Sequence, residues 1–294
     1  MAKAKKLPKK ETELNFFEES ISFAKTLLGA IIVVMIINGL LVASFVVPTG
    51  SMERTVMTGD FLFVNKFLYG PTTPQVLPFL NIPLPFYKFP GFKKPELGDV
   101  IVFIYPGDRD DVEPKEFTYY LKRCLGVGGD KIEIKDKRVF VNDKEFTLPE
   151  NGVLMPERSN YPADFPMGAG FTTDNYGPIK VPKKDDKIEL NSENVHQWIT
   201  FIKREGHELT FDYNDVYIDG KKSNTYTVKT NYVFGMGDNR DNSEDSRAWG
   251  FVPEENVIGT PLIVYWSWDT NLPLSQFIDK LVSVRWSRIG TLIN

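Results

Sequence analysis

At 294 residues and 42% hydrophobic, the chain has room for a membrane span plus one sizeable core, or for two small domains. A net charge of −4, with no basic, aromatic-rich patch, gives no nucleic-acid partner. The single cysteine, Cys124, excludes an internal disulfide and a multi-cysteine metal site, and only His196 and His207 are open to a Ser-His-Asp triad or a histidine-ligated zinc. Both sit in charged, loop-rich sequence without triad or metal-ligand spacing and read as surface histidines.

In chain order, residues 1–10 hold five lysines and a proline and read as disordered, and 11–26 as a polar, partly acidic interfacial lead-in. From Leu27 to Val47 there is no charge, and Asn38 is the one strongly polar residue. That run is long enough for a transmembrane helix, about 20 apolar residues being needed. Pro48 is expected to end it, and Gly50 to turn the chain so that Ser51 stands at the water interface. The run starts late, exceeds a signal-peptide core and lacks a small-x-small exit, which favours a retained anchor over a cleaved leader. Lysines before the run outnumber the basic residues just after it, which places the N-terminus in the cytoplasm and the remainder across the membrane.

Residues 58–70 read as a glycine turn and a strand. Residues 71–95, rich in proline and aromatics, fit no regular element and have two readings. The loop packs on the core, or Phe79, Leu80, Ile82, Leu84 and Phe86 dip into lipid. Strands are expected at 98–108 and on both sides of the glycine-rich turn in 119–134, with a hairpin across Asn142-Asp143. Residues 147–212 read as an irregular insertion holding one short helix, with Asn191 or Ser192 as its cap, Val195, Trp198, Ile199 and Ile202 on one face and Gly206 at its end. Asp219-Gly220 signals another hairpin, and the run VIGTPLIVYWSW after Pro253 a long apolar strand. Many short strands with few helical patterns indicate a mainly β protein: a single N-terminal transmembrane helix and an all-β extracytoplasmic domain.

Three places can carry chemistry. Ser51 is a turn residue or a nucleophile, and with histidine out of place a nucleophile there needs a lysine kept neutral by desolvation. Lys122 lies on a strand among apolar neighbours, on the same face as Tyr120 and Cys124. It is either a paired or snorkelling lysine or that base. The stretch GDNRDNSEDSRAWG (237–250) is a tight loop braced by Asx turns and Asp–Arg pairs, with a calcium loop or a plain structural turn as the other readings. It lacks the glycine and glutamate placement of an EF-hand.

Taken together, P-T-G-S-M (48–52), Y-x-K-R-x-x-G-x-x-G-D (120–130) and G-D-N-R-D-N-S-x-D-S-R-x-W-G-x-V-P (237–253) resemble the bacterial type I signal peptidase (leader peptidase) family, in that family's order and directly after a span. G-D-V-I-V-F-x-Y-P (98–106) and N-Y-G-P-I-x-V-P (175–182) are similar to further family segments. The resemblance implies a Ser/Lys-dyad membrane serine protease that cleaves signal peptides from exported preproteins after small-x-small sites. It makes Ser51 the nucleophile, Lys122 the general base, Ser243 the residue orienting that lysine and Thr49 an oxyanion donor with the Ser51 N–H. Asp245 and Arg247 become a supporting pair, and Phe45, Val47, Met52 and Leu121 substrate-binding positions. No metal or cofactor is implied. The implied partners are preprotein signal peptides, the bilayer and the nearby export machinery, in a bacterial inner membrane crossed once. On this reading 1–26 is a cytoplasmic tail, 27–47 the span and 48–294 the catalytic domain, interrupted by the insertion at about 147–212. Two positions depart from the family's pattern, which often has proline where this chain has Arg54 and Gly128. The alternative from another class is a non-catalytic, membrane-tethered adaptor that binds signal peptides.

Overall fold

The computed structural model describes residues 9–73, 76–77, 82–83, 85, 87–154, 163–212 and 215–293. A helix runs from Lys9 to Leu40, and its stretch Phe16–Leu40, 25 residues at mean hydropathy 2.2, is long and apolar enough to cross a membrane. Its apolar side chains, Leu27, Leu28, Val33 and Val34 among them, lie exposed, as a lipid-facing surface requires.

The helix is placed upstream of the expected 27–47, and Pro48 does not end it. The chain leaves the helix just after Leu40 and becomes a strand at Val42–Val46. Val42, Phe45 and Val46 are β-branched or aromatic and suit a pleated surface. Ala43 and Val47 point inward at the strand's two-residue period. Antiparallel pairing with Asp60–Asn65 then satisfies the backbone that a longer helix would have satisfied internally.

Seven antiparallel strands form the main sheet, in the order Val42–Val46, Asp60–Asn65, Val257–Ser267, Val100–Ile104, Tyr119–Val127, Tyr232–Met236, Val252–Pro253. Central strands such as Val100–Ile104 bury both faces, which explains their unbroken apolar sequence. One face joins Val47, Met52, Val56, Leu62 and Val264 in a core, and the other packs Ile101, Phe103, Cys124 and Trp249.

A second sheet pairs Tyr176–Lys180, Lys131–Lys135, Arg138–Val141 and Lys144–Phe146. Its hairpin turns at Asn142 and Asp143, both at positive φ (51° and 66°), as that dipeptide predicts. The Asp219-Gly220 turn forms likewise between Asp215–Ile218 and Lys221–Lys222. Residues 147–212 prove more regular than expected. They supply the strand Tyr176–Lys180 and a helix, Val195–Arg204, and Leu190, Val195 and Ile202 share a core with Ile132 and Phe234. Asn191 accepts from the Glu193 and Asn194 amides just before that helix, so it shapes the entry turn without being the cap residue itself. In the loop at 71–95, Phe79, Leu80, Leu84, Phe86 and the side chain of Ile82 lie outside the described residues. Its base is fixed by Thr72 N donating to Gly39 O at the end of the helix and by Lys88 Nζ donating to Val257 O.

Candidate active site

Ser51 opens a tight turn directly after the first strand. Glu53 N donates to Gly50 O, and the Thr55 and Val56 amides donate to Met52 O. Met52 and Val56 are buried beneath this turn and hold it to the core. From the other side, Asn239 N donates to Ser51 O (3.0 Å) and Asn239 Nδ2 to Gly50 O (3.1 Å). That approach needs glycine at 237, where a Cβ would lie 2.2 Å from Ser243 Oγ and 2.5 Å from Ser51 O.

Lys122 comes from the strand Tyr119–Val127, paired with Ile101 on its neighbour. Its Nζ is hydrogen-bonded to Ser51 Oγ at 2.7 Å. The side chain is only 4% exposed, with Nζ 5.5 Å from the Tyr120 ring centre and 5.9 Å from that of Trp249. Burial lowers the Lys122 pKa to about 8, against the opposing pull of the Asp245 and Glu244 carboxylates. The rings that enclose the amine are thus Tyr120 and Trp249, while the Met52 sulfur receives the Asp238 N–H at 3.2 Å.

The loop after Met236 braces both groups. Asp245 takes two hydrogen bonds from the Arg247 guanidinium (both 2.8 Å) and one from Gly237 N (3.1 Å), all buried. Burial is the largest single influence on Asp245 and raises its pKa, but the Arg247 charge and hydrogen bonds, the Lys122 charge and the Gly237 N–H together outweigh it, so the carboxyl lies below its ordinary range and stays ionised. Asp238 is bound by Arg123 and also accepts the Thr55 hydroxyl at 2.7 Å. Because these carboxylates are committed to arginines, the loop works as a brace and does not suit a calcium site. Gly128 sits where a Cβ would come within 2.7 Å of Lys183 Cβ, so this turn has no room for the ring of a proline unless Lys183 moves.

A cleft of about 320 Å³ gathers Ser51, Lys122, Thr49, Phe45, Val47, Met52 and Leu121, all singled out in the sequence. Asp245 and Arg247 lie buried behind it. Ser243 is buried as well, but its hydroxyl donates to Glu244 O (3.4 Å) and forms no hydrogen bond with Lys122. His207 pairs with Asp219 at 2.7 Å and His196 packs on Phe211, both away from the cleft. Sequence reasoning missed Trp249, Asn239, Glu244 and the Arg123–Asp238 pair. The available signal was reciprocal: an arginine inside an apolar strand and an aspartate in a glycine-flanked loop each need a buried partner.

A hydroxyl held on a desolvated amine at the edge of an apolar cleft can attack a carbonyl while the amine takes its proton. Comparison with known proteins identifies a peptidase family. The family profile "Signal peptidase, peptidase S26" matches residues 20–266. Signal peptidase I of Helicobacter pylori (strain ATCC 700392 / 26695) is 28% identical over 285 residues, covering 94% of each chain. Signal peptidase I of Buchnera aphidicola subsp. Acyrthosiphon pisum is 31% identical over 299 residues, covering 98% of this chain and 85% of that one. A crystal structure of a signal peptidase I from Enterococcus faecalis V583 covers 57% of this chain and 97% of its own at 18% identity, with a TM-score of 0.30, too low to speak for a shared fold. With the profile running from within the N-terminal helix to the end of the last sheet strand, and relatives matched over nearly their whole length, the chain belongs to the signal peptidase I family, peptidase S26, and is a membrane-anchored serine peptidase.

Proposed function

We propose that this signal peptidase cuts with a Ser51–Lys122 dyad. The observation that carries the reading is the 2.7 Å contact between Lys122 Nζ and Ser51 Oγ, made by a lysine whose pKa burial lowers to about 8. Neutral Lys122 takes the Ser51 proton as Oγ attacks the scissile carbonyl. The oxyanion forms against the Ser51 N–H and the Thr49 hydroxyl, where one donor is worth about 3 kcal/mol. Lys122 passes its proton to the leaving amine, the C–N bond breaks, and an acyl-enzyme remains on Ser51. A water then gives its proton to Lys122 and its oxygen to the acyl carbon, the bond from that carbon to Oγ breaks, and Lys122 returns the proton to Ser51. Ser243 and the Asp245–Arg247 pair shape the loop behind the amine, and the Tyr120 and Trp249 rings do the orienting that a Ser243 hydrogen bond would otherwise do.

Substrate binding follows from two strand edges. Among the described residues, Val42–Val46 is paired on one side only, and Tyr119–Lys122 pairs only with Val100–Ile104, since Tyr232–Met236 joins its strand from Arg123 onward. An extended signal peptide adds to these edges, its alternate side chains entering the cleft against Phe45, Val47, Met52 and Leu121. Those walls leave room for small residues before the cut. The N-terminal lysines favour a cytoplasmic N-terminus, the Phe16–Leu40 anchor in a bacterial inner membrane, and residues 48–294 outside, beside the export machinery that delivers preproteins.

The test is cleavage of a purified preprotein in detergent by wild type, Ser51→Ala and Lys122→Ala, with the cut mapped by N-terminal sequencing. Cutting after a small-x-small site, lost in both variants, is expected. A Lys122→Ala enzyme that still cuts well overturns the base, and a wild type that binds without cutting overturns the mechanism.

A further inference from the structure

The cleft has two chemically different sides. On the strand Tyr119–Val127, Leu121 faces the cluster that holds Phe45, Val47 and Leu62, which leads through Val42–Val46 to the anchor helix. Tyr120 belongs to the opposite cluster with Tyr105 and Trp249, and Lys122 shares its side. Glu244 lines the cleft on this second side, next to Asn242 and close enough to Lys122 for each to bias the other's charge.

Glu244 differs from the carboxylates around it. Asp108 is held by Tyr105 and Lys115, and Asp245 by Arg247. The Glu244 side chain is half-buried yet makes no hydrogen bond or salt bridge to another described residue. Partial burial of an ion without a donor is unfavourable, and burial accordingly pushes its carboxyl above the usual range. A ligand that brings a donor or a positive charge into the cleft relieves that deficit, and one that brings a second carboxylate worsens it.

We propose that Glu244 is a specificity-determining residue that favours preproteins with a cationic or hydrogen-bond-donating side chain in the first two positions after the cut and disfavours acidic ones there. The inference rests on the binding orientation argued above. The signal-peptide half takes the apolar side that adjoins the membrane anchor, so the mature half crosses Lys122 onto the Glu244 side. Tuning of Lys122 by the same carboxylate acts on every substrate alike, so a ratio between substrates isolates the specificity.

The experiment uses the full-length enzyme in detergent and preproteins identical except for Lys, Gln or Glu at the first or second mature position. For wild type we expect kcat/KM for the Lys substrate to exceed that for the Glu substrate by about tenfold, the scale of a charge pair in a partly desolvated cleft. The ratio is expected to fall to about one in Glu244→Gln and to invert in Glu244→Lys. An equal ratio in wild type and the near-isosteric Glu244→Gln overturns the proposal, whatever happens to the charge-reversal variant. Lys122→Ala on the Gln substrate is run alongside: cleavage there removes the dyad reading, whereas a flat ratio with an inactive Lys122→Ala removes only the role of Glu244.

Discussion

Arg123 and Asp238 form a doubly hydrogen-bonded ion pair, Nε to Oδ1 at 2.8 Å and Nη2 to Oδ2 at 2.7 Å, with side chains 5% and 0% exposed. Arg123 follows Lys122 on its strand, and Asp238 precedes the Asn239 that holds Ser51 O. Asp238 also accepts the hydroxyl of Thr55, in the turn that begins at Ser51. One buried pair therefore sets the spacing between the two groups that meet at 2.7 Å.

Removing one partner strands the other charge in the core. Asp238→Asn is expected to lower unfolding stability by about 3 kcal/mol or more, read as a lower denaturant midpoint by tryptophan fluorescence in detergent. Arg123→Met combined with Asp238→Leu is expected to regain much of that stability, because the uncompensated charge is gone, while cleavage stays low because the spacing is no longer enforced. A double variant as unstable as the single one counts against this account.

The buried amine predicts opposite effects on activity and on stability. Only neutral Lys122 accepts a proton, so kcat/KM is expected to fall on the acid side with a midpoint near pH 8. Folding lowers this pKa from 10.5 to about 8, so the unfolded chain binds the proton more tightly. The contribution to stability is fully present above pH 10.5, declines as the pH falls and is lost below about 8. Lys122→Met is then expected to abolish cleavage yet raise stability at pH 7 by up to about 3 kcal/mol, the scale of such a shift. A pH series of thermal midpoints for wild type and variant measures both.

Small-residue selection depends on how full the cleft is. Phe45 packs edge-on against Tyr119 with ring centres 5.0 Å apart, and both line the cleft. Phe45→Ala opens this wall, and preproteins with a leucine in place of the small residue nearest the opened wall are expected to gain roughly tenfold in kcat/KM, while the parent substrate gains nothing. Unchanged cleavage-site choice, mapped by N-terminal sequencing, rules out Phe45 as a wall of the pocket.

What the sequence disclosed and what it hid follow from how local each cause is. Asn142-Asp143 and Asp219-Gly220 were legible because positive φ at both turn positions is a demand two residues can answer alone. The cleft was legible only through the joint resemblance of its motifs to a family, since Ser51 as a turn residue and Lys122 as a paired or snorkelling lysine each had a bland reading of its own. The end of the helix was not, since Val42–Val46 is as apolar for a membrane as for a sheet, and its partner at Asp60–Asn65 decides the matter. Arg123 and Asp238 stand 115 positions apart, and neither announces the other. Residues 147–212 read as irregular because their few apolar residues complete a core built mostly by other segments. The Ser243 hydroxyl illustrates a further limit: a motif fixes which residue stands at a position but not which partner its rotor selects.

Arg54 stands at a backbone position that proline cannot occupy. It has φ of +70°, the left-handed region, within the turn that follows Ser51. Proline is fixed near −65° and cannot adopt that conformation. A proline at this position would therefore require a different turn. Arg54→Pro is expected to destabilise by more than about 1 kcal/mol and to reduce kcat by displacing Ser51 from Lys122. Arg54→Gly relieves the strain of a side chain at positive φ but frees the unfolded chain, so its stability is expected to stay within about 1 kcal/mol of wild type, with cleavage retained. Thermal midpoints and cleavage rates for the two variants, side by side, check the backbone argument. If proline is accepted as readily as glycine, the turn does not need the left-handed conformation, and the position of Ser51 depends on Asn239 and Met52 alone.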